Sequence, residues 1–450
     1  MHSLTSLFEA KSVAVVGASN DPHKLGGRPI AYMKRLGYAG QLIPVNPKSD
    51  IIQGLPAKRS LADLDAPVDL AVIATPGALV EKVIKEGIES GIKNFVVFAS
   101  GYAEVGAEGD AKQQQLQALF KNTDARLLGP NCLGFINTET QLIGSFTTAM
   151  EENPLKAGGF SFAGHSGALG AYWLDKTIQA DIGVSKWISS GNETNVQLAE
   201  IIEYLAYDQQ TKVISLYIEE IRDADKFEQA LLVAQQQGKP VIALKGGKTA
   251  AGALATKAHT NSNALNGVDY QAIFKATGVI EVDSLSEMIH YAKFYIQGNK
   301  LLGKRVGIVS ISGGAGVMLS DQLENAGLSV SKFSPQLADT MRPHLSSFST
   351  SQNPVDLTAA LVAEPQMLHN VTKLLVDSNE FDAVVIFMGL MGSIAESLTD
   401  GLLQLEKNPD CPVLLIWMGG RKELLSTISD NGTMVFEEIP ELVSLLSKLN

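Results

Sequence analysis

The chain has 450 residues, is 45% hydrophobic and 19% charged, and contains 41 glycines. That is a globular composition with many strand-to-helix turns, long enough for roughly three domains. A net charge of −12 leaves no basic field for nucleic acid or for an acidic membrane face, so local groups must hold any anionic ligand.

Cys132 and Cys411 are too few and too far apart for a disulfide framework or a thiolate metal site. Residues Met1 to Lys11 include acidic Glu9 and lack the apolar run of a signal peptide. No stretch reaches the ~18 apolar residues of a membrane span. A cytoplasmic, soluble, reduced protein is expected.

In chain order, Ser12 to Val16 reads as a buried strand that turns out through Gly17-Ala18-Ser19 towards Gly26-Gly27 and a helix over Ile30 to Leu36. Further strands are expected at Gln41–Val45, Leu70–Ala74 and Asn94–Phe98, with helical periodicity over Leu79–Glu89 and Lys112–Phe120. Alternation of this kind gives a parallel sheet with helices on both faces. Ligands lie at the carboxyl ends of such strands. Here those ends are Gly17-Ala18-Ser19, Val45-Asn46-Pro47-Lys48, Thr75-Pro76, Ser100-Gly101 and Gly129-Pro130-Asn131, which together suggest a nucleotide cleft. The first turn is not Gly-x-Gly-x-x-Gly, and the second strand ends in Asn46 and Lys48 where a dinucleotide ribose requires an acid. Those residues suit a phosphorylated ribose or a pyrophosphate, although Asn46-Pro47 reads equally as a plain turn.

A second alternating unit follows Asn153-Pro154, with a strand at Gly159–Ala163, a tight turn at Gly164-His165-Ser166-Gly167-Ala168 and helical character over Leu169–Ile182. A helix opening at Ser166 and Gly167 presents free N–H groups and a positive dipole end, a ready phosphate cradle. Ala168 breaks the nucleophile-elbow pattern and disfavours a serine hydrolase. The strand Val213–Ile218 ends in Glu219-Glu220, ahead of a helix over Asp223–Gln236. These carboxylates are either solvated or, at the ligand edge, able to accept the N–H of an imidazole.

The strand Val241–Leu244 then runs into Lys245-Gly246-Gly247-Lys248-Thr249 and a series of small residues down to Ala258-His259-Thr260, which puts His259 on a movable loop. A neutral imidazole attacks phosphorus well near pH 7, so His259 is either a phosphoryl carrier or a solvated loop histidine.

After a helix at Tyr270–Thr277, a strand at Val279–Val282 and a helix at Leu285–Ile296, Gly298-Asn299-Lys300 reads as a linker. A third unit starts with a strand at Arg305–Ser310 and turns through Ser312-Gly313-Gly314-Ala315-Gly316 into a helix over Val317–Ala326. It continues with strands at Leu328–Lys332, Asp382–Met388, Pro412–Met418 and Met434–Phe436. Asn353-Pro354-Val355-Asp356-Leu357 sits in a long helix-poor stretch that could line a site. Two glycine-rich helix starts suit a phosphate handed from one place to another.

Taken together, Ser12-Val13-Ala14-Val15-Val16-Gly17-Ala18-Ser19, Pro44-Val45-Asn46-Pro47-Lys48, Gly129-Pro130-Asn131-Cys132-Leu133-Gly134, Ser166-Gly167-Ala168-Leu169, Tyr217-Ile218-Glu219 and Asn353-Pro354-Val355-Asp356-Leu357 resemble the α-type part of NDP-forming acyl-CoA synthetases. This is the ADP-forming acetate–CoA ligase group related to succinyl-CoA synthetase. The resemblance implies an α/β chain with a Rossmann-like CoA-binding domain over 1–150 and two flavodoxin-like, succinyl-CoA synthetase-like domains of doubly wound parallel sheet over 151–298 and 299–450. It implies that Gly17, Ser19, Lys48, Pro76 and Asn131 line the CoA cleft, and that Ser166 and Gly167 form one phosphate cradle and Gly314, Ala315 and Gly316 the other. Glu219 would steady the histidine, and His259 would carry the phosphoryl group. The family interconverts a carboxylic acid, CoA and ATP with acyl-CoA, ADP and phosphate through an acyl phosphate and a phosphohistidine. No nucleotide-grasp region is left over in the chain, so ATP or ADP with Mg2+ is expected on a separate β-type subunit.

The phosphate-site motifs depart from the family pattern. The usual Ser-His-Thr-Gly is Ala258-His259-Thr260-Asn261, with Gly267 arriving late, and Ser-Gln-Ser-Gly has become Gly164-His165-Ser166-Gly167. Tyr-x-Glu-Gly has become Tyr217-Ile218-Glu219-Glu220. His165 is thus a second histidine near the phosphate, or a hydrogen-bonding replacement for glutamine. The altered loop motivates an alternative, a CoA- or acyl-CoA-binding regulatory or scaffold protein. A nicotinamide oxidoreductase lacks its glycine fingerprint and ribose carboxylate here, and no His or Cys pair has metal-ligand spacing.

Overall fold

The computed structural model describes residues 2–449 apart from 154, 261–266 and 348. The chain forms two compact units, Met1–Ile289 and His290–Asn450. The first unit holds two large sheets and the second holds one.

The first sheet is parallel and five-stranded, in the order Gln41–Val45, Ser12–Val16, Leu70–Ile73, Asn94–Val97, Arg126–Leu128. Its inner strands are continuous apolar runs because helices in the crossovers leave them no solvated face. Leu70–Ile73 and Asn94–Val97 are buried at every position. The chain leaves Ser12–Val16 to one side for Gln41–Val45 and then crosses to Leu70–Ile73 on the other. A crevice opens where those connections part, at Gly17.

The second sheet has seven strands, in the order Ile280–Val282, Val241–Lys245, Val213–Ile218, Ala157–Gly164, Val184–Ser189, Gly134–Asn137, Leu142–Ser145. The last two form an antiparallel hairpin joined antiparallel to Val184–Ser189, which the sequence reading did not foresee. Ala157–Gly164 lies between Val184–Ser189 and Val213–Ile218, so the topological switch here falls at His165 and Ser166. Phe160, Phe162, Trp173 and Trp187 fill the core beneath it. Lys186, also fully buried, places its ammonium 3.2 Å from Asp208 and 3.1 Å from Gln210, so the charge is paired.

In the second unit the order is Val355–Asp356, Val306–Ser310, Ala383–Met388, Val413–Trp417, Met434–Phe436. The expected strand at Leu328–Lys332 does not form, and only an isolated bridge joins Ser329 to Arg305. Of the segment's two apolar residues Leu328 is buried and Val330 only partly so, and the place beside Val306–Ser310 is taken by Val355–Asp356. The helix-poor stretch therefore supplies the edge strand.

Asp382 ties the opening of this sheet together. Its carboxylate accepts the Arg305 backbone N–H at 2.9 Å and the guanidinium at 3.0 and 2.7 Å. The Arg305 hydrogen bonds hold the Asp382 carboxyl below its usual range. Removing the charge with Asp382→Asn should cost about 1–2 kcal/mol, the value for charge-assisted bonds discounted for a half-exposed arginine. A depressed carboxylate stabilises above its unfolded pKa and loses that contribution as pH falls. Urea unfolding of the second unit should thus show the wild-type advantage near neutrality and its shrinkage below about pH 3.9.

Candidate active site

The carboxyl ends of the first sheet carry the residues assigned to the CoA cleft. The Gly17 N–H donates to the Val45 carbonyl at 3.0 Å, and Ser19 Oγ accepts the Asp21 N–H at 3.1 Å. Asn46 folds its side chain back in the second strand-end turn, accepting the Lys48 N–H at 2.9 Å and donating to the Ala18 carbonyl at 2.8 Å, which leaves Lys48 exposed. Asn46 thus shapes the turn, and Lys48 is the group that faces outward. Pro76 precedes the Gly77–Glu89 helix, and Asn131 takes a left-handed backbone with φ 56°.

At the switch point of the second sheet lies a cavity of about 180 Å³. Its lining includes Asn131, His165, Ser166, Gly167, Glu219 and His259, so residues from distant parts of the sequence meet there. Ser166 caps the Gly167–Gln179 helix by accepting the Leu169 N–H at 3.3 Å. Gly167 permits the close approach of Leu133, since a Cβ would stand 2.2 Å from Leu133 Cδ1. The helix start is therefore pressed against the strand ends with its N–H groups facing the cavity.

His259 is exposed in the last turn of the Ala250–Thr260 helix, not on a loop as expected. Ala250, Ala251, Ala253, Leu254 and Ala255 are strong helix formers, and Thr249 Oγ1 accepts the Gly252 N–H at 3.1 Å at its start. The small side chains that read as mobility favour a helix instead. The altered residues Asn261 to Asn266 lie outside the described residues.

The lysines flanking the Gly246-Gly247 turn are structural. Lys245 is buried with its ammonium 2.9 Å from the Glu219 carbonyl; burial lowers its pKa, against the pull of Glu219. Lys248 pairs with Asp283 at 2.7 Å and Glu281 at 3.1 Å. Glu219 is itself buried, and burial, reinforced by the nearby Glu219 carboxylate, pushes the Tyr217 phenol up. Gly314, Ala315 and Gly316 lie in the first turn of the Gly313–Asn325 helix in the second unit.

Sequence reasoning missed the turn that completes the site, Ser190-Gly191-Asn192-Glu193-Thr194. Asn192 N–H donates to the Pro130 carbonyl at 2.9 Å and Thr194 N–H to the Gly129 carbonyl at 3.2 Å, stitching this turn to the end of the first sheet. Asn192 Nδ2 donates to Glu104 at 2.6 Å and Gln113 at 2.9 Å, while Asn131 donates to Asn192 Oδ1 at 3.1 Å. Glu193 is 2% exposed and stands 3.1 Å from His165 Nε2 and 3.7 Å from Arg222. The available signal was a glycine among four polar residues, but the strand before it, Val184–Ser189, is itself half polar and offers no apolar run to mark it.

Gly191 has φ 61°, and a Cβ there would lie 2.3 Å from the Pro130 carbonyl oxygen. Gly191→Ala should destabilise the first unit by about 2–4 kcal/mol, combining left-handed strain with a backbone clash. Thermal unfolding of that unit checks this.

Three family models match: a CoA binding domain over residues 11–138, a succinyl-CoA ligase like flavodoxin domain over 157–295 and a ligase-CoA domain over 306–393. The α subunit of ADP-forming acetate–CoA ligase II from Pyrococcus furiosus is 35% identical over 98% of this chain and 96% of its own length. An ADP-forming acetate–CoA ligase from Methanocaldococcus jannaschii is 33% identical over 79% of this chain, which covers 49% of that longer protein. The dinucleotide-forming acetyl-coenzyme A synthetase 1 of Ca. Korarchaeum cryptofilum, solved with phosphate and ADP, superposes with a TM-score of 0.90 at 26% identity, over 100% of this chain and 96% of that one. The chain belongs to the family of α subunits of NDP-forming acyl-CoA synthetases, the acid–CoA ligases of the ADP-forming acetate–CoA ligase type.

Proposed function

We propose that this chain is the α-type half of an acid–CoA ligase in which His259 carries the phosphoryl group. In the direction of ATP formation, phosphate attacks the acyl-CoA thioester, giving acyl phosphate and free CoA thiol. An imidazole nitrogen of His259 then attacks phosphorus and releases the carboxylate, and the phosphoryl group passes to ADP. The cavity that His259 shares with Ser166, Gly167, Glu219 and Arg222 carries this reading. The helix start stabilises charge on the transferring phosphoryl group, where electrostatics dominate catalysis. Glu219 is the carboxylate assigned to steady the His259 imidazole.

In this reading Gly17, Ser19, Lys48, Pro76 and Asn131 hold CoA, and Gly314 to Gly316 form a second phosphate cradle. Exposure of His259 suits a carrier that must deliver its cargo to another chain. That chain would be a β-type nucleotide-grasp subunit holding ADP or ATP with Mg2+, and the longer single-chain relative supports such a division. The substrate is a small carboxylic acid.

Incubation with radiolabelled ATP and a β-type partner should place an acid-labile, base-stable label on the wild-type chain and none on His259→Asn. Without the partner the chain should bind CoA but turn over no nucleotide. Label retained by His259→Asn, or ATP-dependent thioester formation by the chain alone, would overturn the assignment.

A further inference from the structure

The residue before the helix cap, His165, is buried beside the cavity with its side chain 8% exposed. Its Nδ1 lies 3.3 Å from the Tyr217 carbonyl oxygen and 3.3 Å from the Glu219 backbone nitrogen. A neutral ring accepts the Glu219 N–H at Nδ1 and carries its own proton on Nε2, facing Glu193. A cationic ring gives the added Nδ1 proton to the Tyr217 carbonyl instead. Both partners are in place, so the ring can change charge without moving the backbone. The Nε2 contact with Glu193 is short at 3.1 Å yet poorly aligned for a hydrogen bond, and is chiefly coulombic.

The titratable and charged groups around the ring come from three directions. Glu193 follows the strand Val184–Ser189; Glu219, Glu220, Arg222 and the Tyr217 phenol belong to the strand Val213–Ile218 and its exit; His259 faces the same cavity from its helix. Arg222 stands 3.7 Å from Glu193 and 3.6 Å from Glu220. Two carboxylates thus share one guanidinium, with Glu219 a third acidic group on the cavity wall. A phosphate dianion entering this cavity needs a second cation; since His259 must stay neutral to act as the nucleophile, His165 is the imidazole left to supply it.

We propose that His165 is a proton-coupled positioning residue of the anion cradle: a phosphate dianion, free or as the phosphoryl end of an acyl phosphate, binds with uptake of one solvent proton at His165 Nδ1, and Glu193 holds the resulting imidazolium. This rests on reading the cavity as the phosphate site. Burial pushes the His165 imidazole down, but the Glu193 carboxylate, helped by Glu219, more than reverses it and holds the ring above its usual value. Burial likewise raises Glu193, and His165, Arg222 and Ser190 bring it below its usual range. A raised imidazole is cationic at low pH and loses its charge as pH rises through that value. Anion affinity therefore weakens as pH rises.

Sulfate is the probe, because it stays dianionic while phosphate itself titrates. Calorimetric sulfate affinity of the full chain, measured between about pH 6 and pH 9, should fall towards tenfold per pH unit above the wild-type transition. His165→Gln, which keeps a hydrogen-bonding side chain but cannot take up a proton, should bind more weakly than wild type at low pH and lose the slope, with an unchanged circular dichroism spectrum. Glu193→Gln should move the fall to lower pH. A wild-type slope persisting in His165→Gln, or no sulfate binding by the wild type at low pH, overturns the proposal. Phosphohistidine labelling of the same preparations reads out the ligase assignment separately, since it depends on His259 and not on the sulfate slope.

Discussion

The first of the parallel strands in each large sheet has a neighbour on both sides, and the connections to those neighbours leave in opposite directions. That constraint creates a crevice at the strand's carboxyl end. In this chain it operates three times, after Ser12–Val16, after Ala157–Gly164 and after Val306–Ser310. A polar or glycine-rich turn occupies each crevice: Gly17-Ala18-Ser19, His165-Ser166-Gly167 and Ser312-Gly313-Gly314. The last two open directly into helices capped by serine, so the same geometry that makes the gap also aims backbone N–H groups into it. Ligand chemistry then follows from the side chains that differ among the three.

Within the first unit the edge of the first sheet is joined to the crevice of the second by a chain of hydrogen bonds. Asn131 follows the last strand of the first sheet and also lines the cavity of the second, and its amide reaches Asn192, which in turn holds Glu104 and Gln113. The helix that bears His259 packs on the Ala103–Val105 turn containing Glu104. Glu193, a non-glycine residue at φ 52°, is kept in that strained state by Ser190 Oγ at 3.0 Å and the Leu198 N–H at 3.1 Å. Strain of this kind persists only where surrounding bonds over-determine the backbone, and here they do. The end of the first sheet and the cavity of the second are thus tied by one set of bonds.

Much of the architecture was legible because parallel strands buried on both faces are written as short apolar runs. Val213–Ile218, Tyr270–Thr277, Leu285–Ile296 and Met434–Phe436 match their expected limits. The glycine-rich turn at Ser166 was legible for another reason, since a helix start needs its cap in a fixed place. Leu328–Lys332 misled because pairing depends on which segment reaches the sheet edge, a long-range competition that local alternation does not encode. His259 misled in a different way: alanines carry little periodic signal, so their helix propensity was read as looseness. The Glu193 turn escaped notice because its role is to meet His165 and Arg222, which are neighbours only after folding.

In the proposed function the two histidines of the cavity divide the work by environment. A phosphoryl acceptor must present a free lone pair and hand its cargo on, which requires exposure, and His259 is exposed at a helix end. A group that balances the incoming anion must hold a proton where water is scarce. A buried cation persists only beside a buried carboxylate, and Glu193 supplies one at the cost of its own desolvation. That carboxylate also opposes the phosphate electrostatically, so the cradle cannot bind too tightly once the proton leaves. An intermediate that must be released to the next acceptor needs a site poised in this way, and a permanently charged arginine in place of His165 would hold it at every pH.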